Sequence, residues 1–242
     1  MKKIAIPLSL FLMIAFLFSS CRQDEASPIK NVKAGPKLLG AQAGNRACTT
    51  HTYFYGDEQK SLGNVFTKQI LVAFESGLSP EEEASVVAKY NFVEEKKGQL
   101  STNSAMLHNI ELVNGLNCKQ VEVAMEILAE DPAIAYVSPY FLNSDGLLGV
   151  SNEAIVTVKE GNTEALASLA ATYNAEVLMP LSGETYLLRV DKNSEGNALE
   201  LANYLNGQDG IAHAEPDFVV SLEVPEANQR LADRRSRSGS HR

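Results

Sequence analysis

Few residues in this sequence have the types and spacing that enzyme or metal chemistry requires. The four histidines of the 242-residue chain are scattered, at His51, His108, His213 and His241. A catalytic nucleophile needs an adjacent base and a third group that orients the base, and no histidine here stands in a motif that supplies such a set. No two His, Cys, Asp or Glu residues have a recognised spacing of metal ligands. The sequence therefore predicts a protein that is not an enzyme, with no metal site and no cofactor.

The first cysteine, Cys21, follows a segment that is typical of export signals. Lys2 and Lys3 precede an apolar run over residues 4–18, which is shorter than the roughly 20 residues that cross a bilayer. We therefore predict a signal peptide over residues 1–20. The tetrapeptide Phe-Ser-Ser-Cys that ends at Cys21 resembles the lipobox of bacterial lipoproteins, although Phe18 stands where that family usually has leucine.

This resemblance implies that Cys21 carries a lipid and that the chain is bound to a membrane through it. The expected location is the cell envelope, lipid-anchored and either periplasmic or surface-exposed. The alternative is an ordinary secretory signal in which the cysteine occurs by chance.

Cys48 and Cys118 are the two cysteines that remain if Cys21 carries a lipid. An even number of cysteines in an exported chain favours a disulfide. The bond would close a loop of about 70 residues, and the chain-entropy estimate for such a loop is roughly 4 kcal/mol of stabilisation. Two unpaired thiols are the alternative, since only the number of cysteines and their compartment support the bond.

The net charge of the chain argues against nucleic acid as a partner. The sequence has 21 Lys and Arg residues against 30 Asp and Glu residues, which gives a net charge of −9, whereas nucleic-acid binding needs a basic face. There is no tryptophan, and 45% of the residues are hydrophobic. We expect a monomer with aliphatic cores.

One stretch of the sequence occurs twice. Residues 134–141 (IAYVSPYF) return 77 positions later as residues 211–218 (IAHAEPDF), with the shared pattern Ile-Ala-x-x-x-Pro-x-Phe. Upstream of each copy, apolar residues recur with helical spacing and with the same offset of 77 positions. Such self-similarity indicates a duplicated unit. The two helical stripes are Val121, Ala124, Met125 and Leu128, and Ala198, Leu201, Ala202 and Leu205.

The periodicity around each copy predicts the order strand, helix, strand, strand, helix, strand. A split βαβ unit doubled in this way is the ferredoxin-like sandwich. We therefore predict an α+β protein with two tandem ferredoxin-like (βαββαβ) sandwiches, each with a four-stranded antiparallel sheet. The first domain is expected at residues 67–144 and the second at 150–223. Pro139 and Pro216 are expected to end the last strand of each domain.

Polar segments with little periodicity flank the two predicted domains. Residues 21–66 are predicted as a flexible tether, in which His51, Tyr53 and their aromatic neighbours favour a short segment that docks on the first domain. Residues 224–242 contain five arginines and few apolar residues, and they are predicted as a disordered basic tail.

The end of the second copy resembles the end of the propeptides of subtilisin-like serine proteases. In that family a Glu-Pro-Asn or Glu-Pro-Asp element usually follows the last strand. Glu215, Pro216 and Asp217 match this element, whereas the first copy has Ser138 in place of the glutamate. The resemblance covers roughly residues 67–222 and implies two propeptide-like domains in tandem.

The resemblance implies that the chain inhibits a subtilisin-like serine protease or assists its folding. In the family, the four-stranded sheet covers two helices of the enzyme, and the segment after the last strand enters the substrate cleft by strand addition. The protease-facing residues would be Glu215, Pro216, Asp217, Phe218, Val219 and Val220. Their equivalents in the first copy are Ser138, Pro139, Tyr140 and Phe141.

The catalytic motifs of subtilisin-like proteases do not occur in this sequence. It has no Asp-Thr-Gly, His-Gly-Thr or Gly-Thr-Ser-Met-Ala element. Two alternatives to the inhibitor or folding assistant stay open. One is a non-inhibitory surface lipoprotein that binds another protein or acts as a spacer. The other is a truncated precursor of a secreted subtilase, which the basic tail favours.

Overall fold

The computed structural model describes residues 47–56, 58–143 and 146–221, together with Leu39. The predicted signal peptide, Cys21 and the predicted basic tail lie outside these residues. Within the described part, none of the helices is long and apolar enough to cross a membrane. This part is a mixed α/β protein with a large antiparallel sheet, a small two-stranded sheet and, between residues 47 and 221, four helices.

The predicted element order occurs twice, after an N-terminal hairpin. The hairpin consists of β1 (His51–Tyr55) and β2 (Glu58–Gly63). The first repeat consists of β3 (Val65–Phe74), α1 (Pro80–Val87), β4 (Val93–Ser101), β5 (Met106–Leu112), α2 (Cys118–Ala129) and β6 (Ile134–Asn143). The second repeat consists of β7 (Gly146–Val158), α3 (Thr163–Thr172), β8 (Glu176–Ser182), β9 (Thr185–Arg189), α4 (Ala198–Asn206) and β10 (Ile211–Ser221).

Local sequence signals begin three of these four helices. Ser79, Asn117 and Asn197 precede α1, α2 and α4, and each accepts a hydrogen bond from the backbone of the third helical residue. That residue, a Glu or Gln, bonds back to the backbone of the cap. Such a capping box satisfies amide groups that the first turn of a helix leaves unpaired. The helix starts are therefore specified locally.

The strands of each repeat lie in the order second, third, first, fourth. In the first repeat this order is β4-β5-β3-β6, and in the second it is β8-β9-β7-β10. All neighbouring pairs are antiparallel. The first and last strands of each repeat are therefore neighbours, although the chain between them forms two helices and two other strands.

The two repeats share one eight-stranded sheet, which corrects the prediction of two separate four-stranded sheets. β6 and β7 form a hairpin in which Asn143 lies opposite Gly146 and Tyr140 lies opposite Gly149. Residues 146–149, which lie between the two predicted domains, are therefore part of β7. This long strand pairs with β6 through its first residues, with β9 through its later residues and with β10 along its length.

The two repeated prolines do not end their strands, contrary to the prediction. In β6 the pairing register shifts between Pro139 and Phe141, and in β10 it shifts between Pro216 and Phe218. Proline has no N–H for a ladder hydrogen bond, and a bulge is one of the places where a strand accepts it. The extra residues belong to the partner strand, at 66–69 of β3 and 151–153 of β7. The repeated Pro-x-Phe therefore lies opposite a bulge in each repeat.

Residues 51–63, predicted as part of a flexible tether, form the N-terminal hairpin instead. The Tyr53 ring packs edge-on against Phe218 of the second repeat, with 5.1 Å between ring centroids. The His51 ring lies 5.1 Å from the Phe141 ring of the first repeat. The hairpin thus contacts both repeats, whereas we expected a segment docked on the first.

Cys48 and Cys118 form a disulfide, which is the pairing predicted from the sequence. The bond attaches the residues before the hairpin to the first turn of α2. Next to it, the Thr49 backbone N–H and hydroxyl donate hydrogen bonds to the Glu122 carboxylate, at 2.9 and 3.2 Å. This covalent and polar attachment fixes the chain where it enters the hairpin.

Candidate functional site

The sheet of the first repeat has helices on one face. His108 lies opposite Val72 on this face, and its Nε2 is 3.6 Å from the Glu83 carboxylate of α1. Directly opposed residues share a face, and alternate residues point to the other face. The other face, which we call the helix-free face of the first repeat, is formed by Leu71, Ala73, Leu107, Tyr136, Ser138 and Tyr140.

The second repeat covers the helix-free face of the first repeat. The Tyr136 hydroxyl donates to the Ser151 carbonyl at 2.6 Å, and the Ser138 hydroxyl donates to the Val150 carbonyl at 2.5 Å. The backbone N–H of Ala198, at the start of α4, in turn donates to the Tyr136 oxygen at 3.4 Å. All six residues are buried, so a partner protein cannot reach these side chains.

Gly149 makes this close contact possible. A Cβ atom at this position would lie 2.6 Å from the Tyr140 ring and 2.8 Å from Leu71 Cδ1. Both distances are shorter than van der Waals contact. Only glycine lets the β7 backbone approach this closely.

The corresponding face of the second repeat is partly open. Ile155, Leu187 and Met179 lie side by side across β7, β9 and β8. Met179 is 41% exposed and Ile155 is half-buried, whereas Leu187 is buried. Residues of the opposite parity, such as Val156 and Leu188, lie in the core with the helices. We call the following set the helix-free face of the second repeat: Ile155, Thr157, Met179, Thr185, Leu187, His213 and Glu215.

Polar groups border the apolar centre of this face. The Thr157 and Thr185 hydroxyl oxygens are 3.0 Å apart. On β10, His213 Nε2 lies 3.6 Å from the Glu215 carboxylate. An apolar centre with a polar rim is typical of surfaces that bind other proteins.

The edge of β10 is protected from further pairing at its start. Within the described residues, β10 pairs with β7 on one side only. On its other side, the Ala214 N–H donates to Asn206 Oδ1 at 2.8 Å, and Asn206 Nδ2 donates to the Ala214 carbonyl at 2.5 Å. Two residues later, Pro216 has no N–H to donate. Side-chain cover and proline are both devices that keep an edge strand from pairing.

Beyond Pro216 this protection ends, as the alternation along β10 indicates. The Ala214 N–H and carbonyl both bond Asn206, so they point away from β7. Backbone groups alternate between the two edges of a strand. The alternation along β10 then directs Phe218 and Val220 away from β7 and Val219 toward it.

The last residues of β10 therefore present backbone groups outward. Val219 lies opposite Gly149 and is directed toward β7, so Phe218 and Val220 are directed away from β7. Val220 is 62% exposed. We call residues 218–220 the open edge of β10. In the first repeat, the equivalent edge of β6 beyond its proline is the one that pairs with β7.

Asp217 lies opposite the bulge of β7 and directly before the open edge. Its carboxylate accepts a hydrogen bond from the Ser151 hydroxyl at 3.1 Å. Burial, together with the negative charges of Glu153 and Glu215, raises the pKa of Asp217 above its ordinary value, although the Ser151 bond acts in the opposite direction. This carboxyl group therefore takes up a proton more readily than an exposed aspartate.

The residues predicted to face a protease in the first copy do not do so. Ser138, Pro139, Tyr140 and Phe141 are all buried, and the Tyr140 hydroxyl donates to Asn109 Oδ1 at 2.5 Å. The prediction is wrong for these four residues, because the second repeat and the N-terminal hairpin pack on them.

The predicted protease-facing residues of the second copy lie inside β10, not after the last strand. Glu215 is on the helix-free face and Pro216 is buried. Asp217 lies opposite the bulge of β7. Phe218 and Val219 pack against the core with their side chains, and Val220 is exposed.

The described residues contain no group of three or more His, Cys, Asp or Glu side chains that could hold a metal ion. His51, His108 and His213 lie in three different strands, β1, β5 and β10, and His241 lies outside the described residues. Burial lowers the pKa of His108 in spite of the neighbouring Glu83. The structure thus leaves these histidines in separate surroundings.

Sequence reasoning missed Asn206 and the contacts of the loop at residues 102–105. An asparagine near the end of a helical stripe is normally interpreted as a helix cap, and nothing local indicates that it bonds a strand edge. The loop residues Thr102, Asn103 and Ser104 have the composition of an ordinary turn. The sequence does contain one signal of these contacts. The polar residues Ser151, Asn152 and Glu153 interrupt the apolar pattern of β7.

Comparison of the sequence with models of protein families gives no match, and comparison with curated proteins gives none either.

Proposed function

We propose that this chain is a non-catalytic protein that binds a subtilisin-like serine protease, as an inhibitor or as a folding assistant. The element order of both repeats supports the interpretation of each as a ferredoxin-like unit. A fold alone does not specify a function, so the proposal depends on the surfaces of the second repeat and on the propeptide-like element at residues 215–217.

The observation that carries the proposal is the difference between the two helix-free faces. Propeptides of this family use such a face to cover two enzyme helices. In the first repeat this face is buried under the second repeat, whereas in the second repeat Met179 of this face is exposed and Ile155 is half-buried. The second repeat is therefore the copy that we assign to the protease.

The open edge of β10 supports the same assignment. An extended segment with free backbone groups can add to a strand of a partner through main-chain hydrogen bonds. The protected start of the edge at Ala214 and Pro216 confines this pairing to residues 218–220 and to the chain that follows. The contact with the protease would thus begin later than the sequence alone predicted.

We also propose that Cys21 carries a lipid and holds the protein at the cell envelope. Cys21 lies outside the described residues, so this part of the proposal depends on the lipobox-like sequence. The Cys48–Cys118 disulfide supports an exported location, because disulfides persist mainly in oxidising compartments.

Titration of a secreted subtilisin-like protease with the purified whole chain tests the proposal. We expect the hydrolysis of a peptide substrate to fall as the chain is added at micromolar concentration. A second assay measures how fast denatured protease regains activity with and without the chain. Inhibition alone would assign an inhibitor, and faster recovery of activity would assign a folding assistant.

An unchanged rate of hydrolysis, no complex on gel filtration and an unchanged recovery of activity would together contradict the proposal. That result would favour a surface lipoprotein that binds a different protein or acts as a spacer. Bovine serum albumin at the same concentration controls for unspecific effects on the protease.

A further inference from the structure

The loop at residues 102–105, between β4 and β5, reaches from the first repeat onto β7 of the second. Asn103 Nδ2 and the Ser104 hydroxyl donate to the two oxygens of the Glu153 carboxylate, at 3.0 and 2.6 Å. Asn152 Nδ2 donates to the Ser104 oxygen at 2.8 Å, and the Thr102 hydroxyl donates to Asn152 Oδ1 at 2.9 Å. The loop thus bonds two consecutive side chains of β7.

These two side chains belong to the bulge that shifts the register of β10. Residues 151–153 of β7 lie opposite Asp217 alone, because the pairing passes from Pro216 directly to Phe218 on the other strand. Glu153 is fully buried. A buried carboxylate is costly unless it is hydrogen-bonded, and the loop supplies two donors. The bulge therefore depends on partners that come from the first repeat.

A short chain of hydrogen bonds continues from the bulge to β10. The Glu153 backbone N–H donates to the Ser151 oxygen at 3.0 Å, and the Ser151 hydroxyl donates to the Asp217 carboxylate at 3.1 Å. Without the bulge, β10 would keep its upstream register, and Val219 would lie opposite Ser151 instead of Gly149. The register of residues 218–220 against β7 thus depends on whether the bulge is formed.

We propose that the loop at residues 102–105 is a positioning element for the open edge of β10. It holds the bulge of β7 and so sets the register in which residues 218–220 are presented to a partner. This inference rests on the proposed function, since it gives the first repeat the task of presenting the binding edge of the second. The first repeat has no binding surface of its own in this account.

Removal of the two donors to Glu153 tests the inference. The N103A/S104A variant of the whole chain is compared with wild type by amide hydrogen exchange. We expect the Val219 amide, which is directed toward β7, to exchange on the order of tenfold faster, because the local pairing opens more easily. The Val156 amide, in the core part of β7, is expected to exchange at the wild-type rate.

Two further variants separate positioning from a general loss of polar contacts. N193A/S194A removes another Asn-Ser pair, which includes the Ser194 hydroxyl that bonds the Asn174 carbonyl, and it is expected to leave Val219 unchanged. S104T keeps the hydroxyl group and is expected to retain wild-type exchange. The inference is overturned if Val219 is unaffected in N103A/S104A, or if Val219 and Val156 accelerate by the same factor.

Protease inhibition by the same variants gives an independent readout. If the wild-type chain inhibits, N103A/S104A should inhibit at least several-fold more weakly, and equal inhibition would contradict the link between the loop and the binding edge. If the wild-type chain neither inhibits the protease, forms a complex with it nor speeds its recovery of activity, the proposed function is wrong, and the exchange experiment still decides whether the loop positions β10.

Discussion

Gly149 is the residue at which the two repeats come closest. Replacement by alanine would place a Cβ atom 2.6 Å from the Tyr140 ring, so the ring, its packed neighbours or the β7 backbone must move. We expect G149A to lower the free energy of unfolding by about 1–3 kcal/mol, as overpacking of a buried contact usually does. Urea denaturation measures the effect.

Gly98 provides a matched control for this substitution. A Cβ atom at Gly98 would meet only Asn109 Nδ2, at 3.7 Å, which is ordinary van der Waals contact. We expect G98A to leave the free energy of unfolding within about 0.5 kcal/mol of wild type. Equal stability of G149A and G98A would contradict the close packing of β7 on the first repeat.

The structural role of Gly149 could not be predicted from its residue type alone. In the sequence it lies between the two predicted domains, at 67–144 and 150–223, where a glycine is usually interpreted as part of a flexible connection. In the structure it is required by the approach of β7 to Tyr140. The sequence shows only that a side chain is absent, and the reason depends on a residue in another strand.

Asp217 is expected to make stability depend on pH. Its pKa is raised in the folded state, so the folded chain binds more protons than the unfolded chain between the ordinary aspartate pKa and the raised value. The free energy of unfolding therefore rises as the pH falls through this interval, and it is lowered at neutral pH by the charged carboxylate. D217N removes the charge and keeps an acceptor for Ser151.

We expect D217N to be more stable than wild type at pH 7, and the difference to shrink as the pH falls below the raised pKa. The gain should be modest, because Asp217 is only partly buried and solvent screens its charge. Urea denaturation over a pH series measures it, with D209N at an exposed position as the control. A gain of equal size in D209N would contradict the assigned cause.

At the scale of elements, the sequence predicted the helices better than the strands. The stripes at Val121, Ala124 and Leu128 and at Leu201 and Leu205 are buried faces of α2 and α4, which confirms the helical periodicity. These signals act within one turn of the chain. Strand length instead depends on what lies alongside, so β6, β7 and β10 extend beyond the predicted ends where a partner strand is present.

The open edge of β10 leads to a prediction for Val220. V220P removes the outward N–H of an exposed residue and obstructs an added strand, whereas V220A keeps the N–H and removes only side-chain atoms. We expect V220P to weaken protease inhibition at least tenfold and V220A to have little effect. Inhibition constants for both variants check this.

Urea denaturation of the same two variants gives the control for folding. The backbone of Val220 is directed away from β7, so both substitutions should leave the free energy of unfolding within about 0.5 kcal/mol of wild type. Full inhibition by V220P would show that strand addition does not use this edge.

At the scale of the whole molecule, the two repeats have the same element order but different surroundings. The duplication and the element order were readable from the repeated octapeptide and stripes. The burial of one helix-free face under the other repeat was not, because no local pattern distinguishes an apolar face that meets a neighbour from one that meets solvent. Leu71 and Ile155 are both apolar strand residues, and only the tertiary arrangement separates them.

The central claim is that the second repeat binds the protease and the first repeat does not. Met179 of β8 and Leu142 of β6 are 41% and 42% exposed, one in each repeat, and both can accept a charge without loss of the core. The most direct test compares M179E and L142E in a protease inhibition titration. M179E should inhibit at least tenfold more weakly than wild type and L142E as well as wild type. Equal inhibition by the two variants, or a weaker effect of M179E than of L142E, would contradict the account.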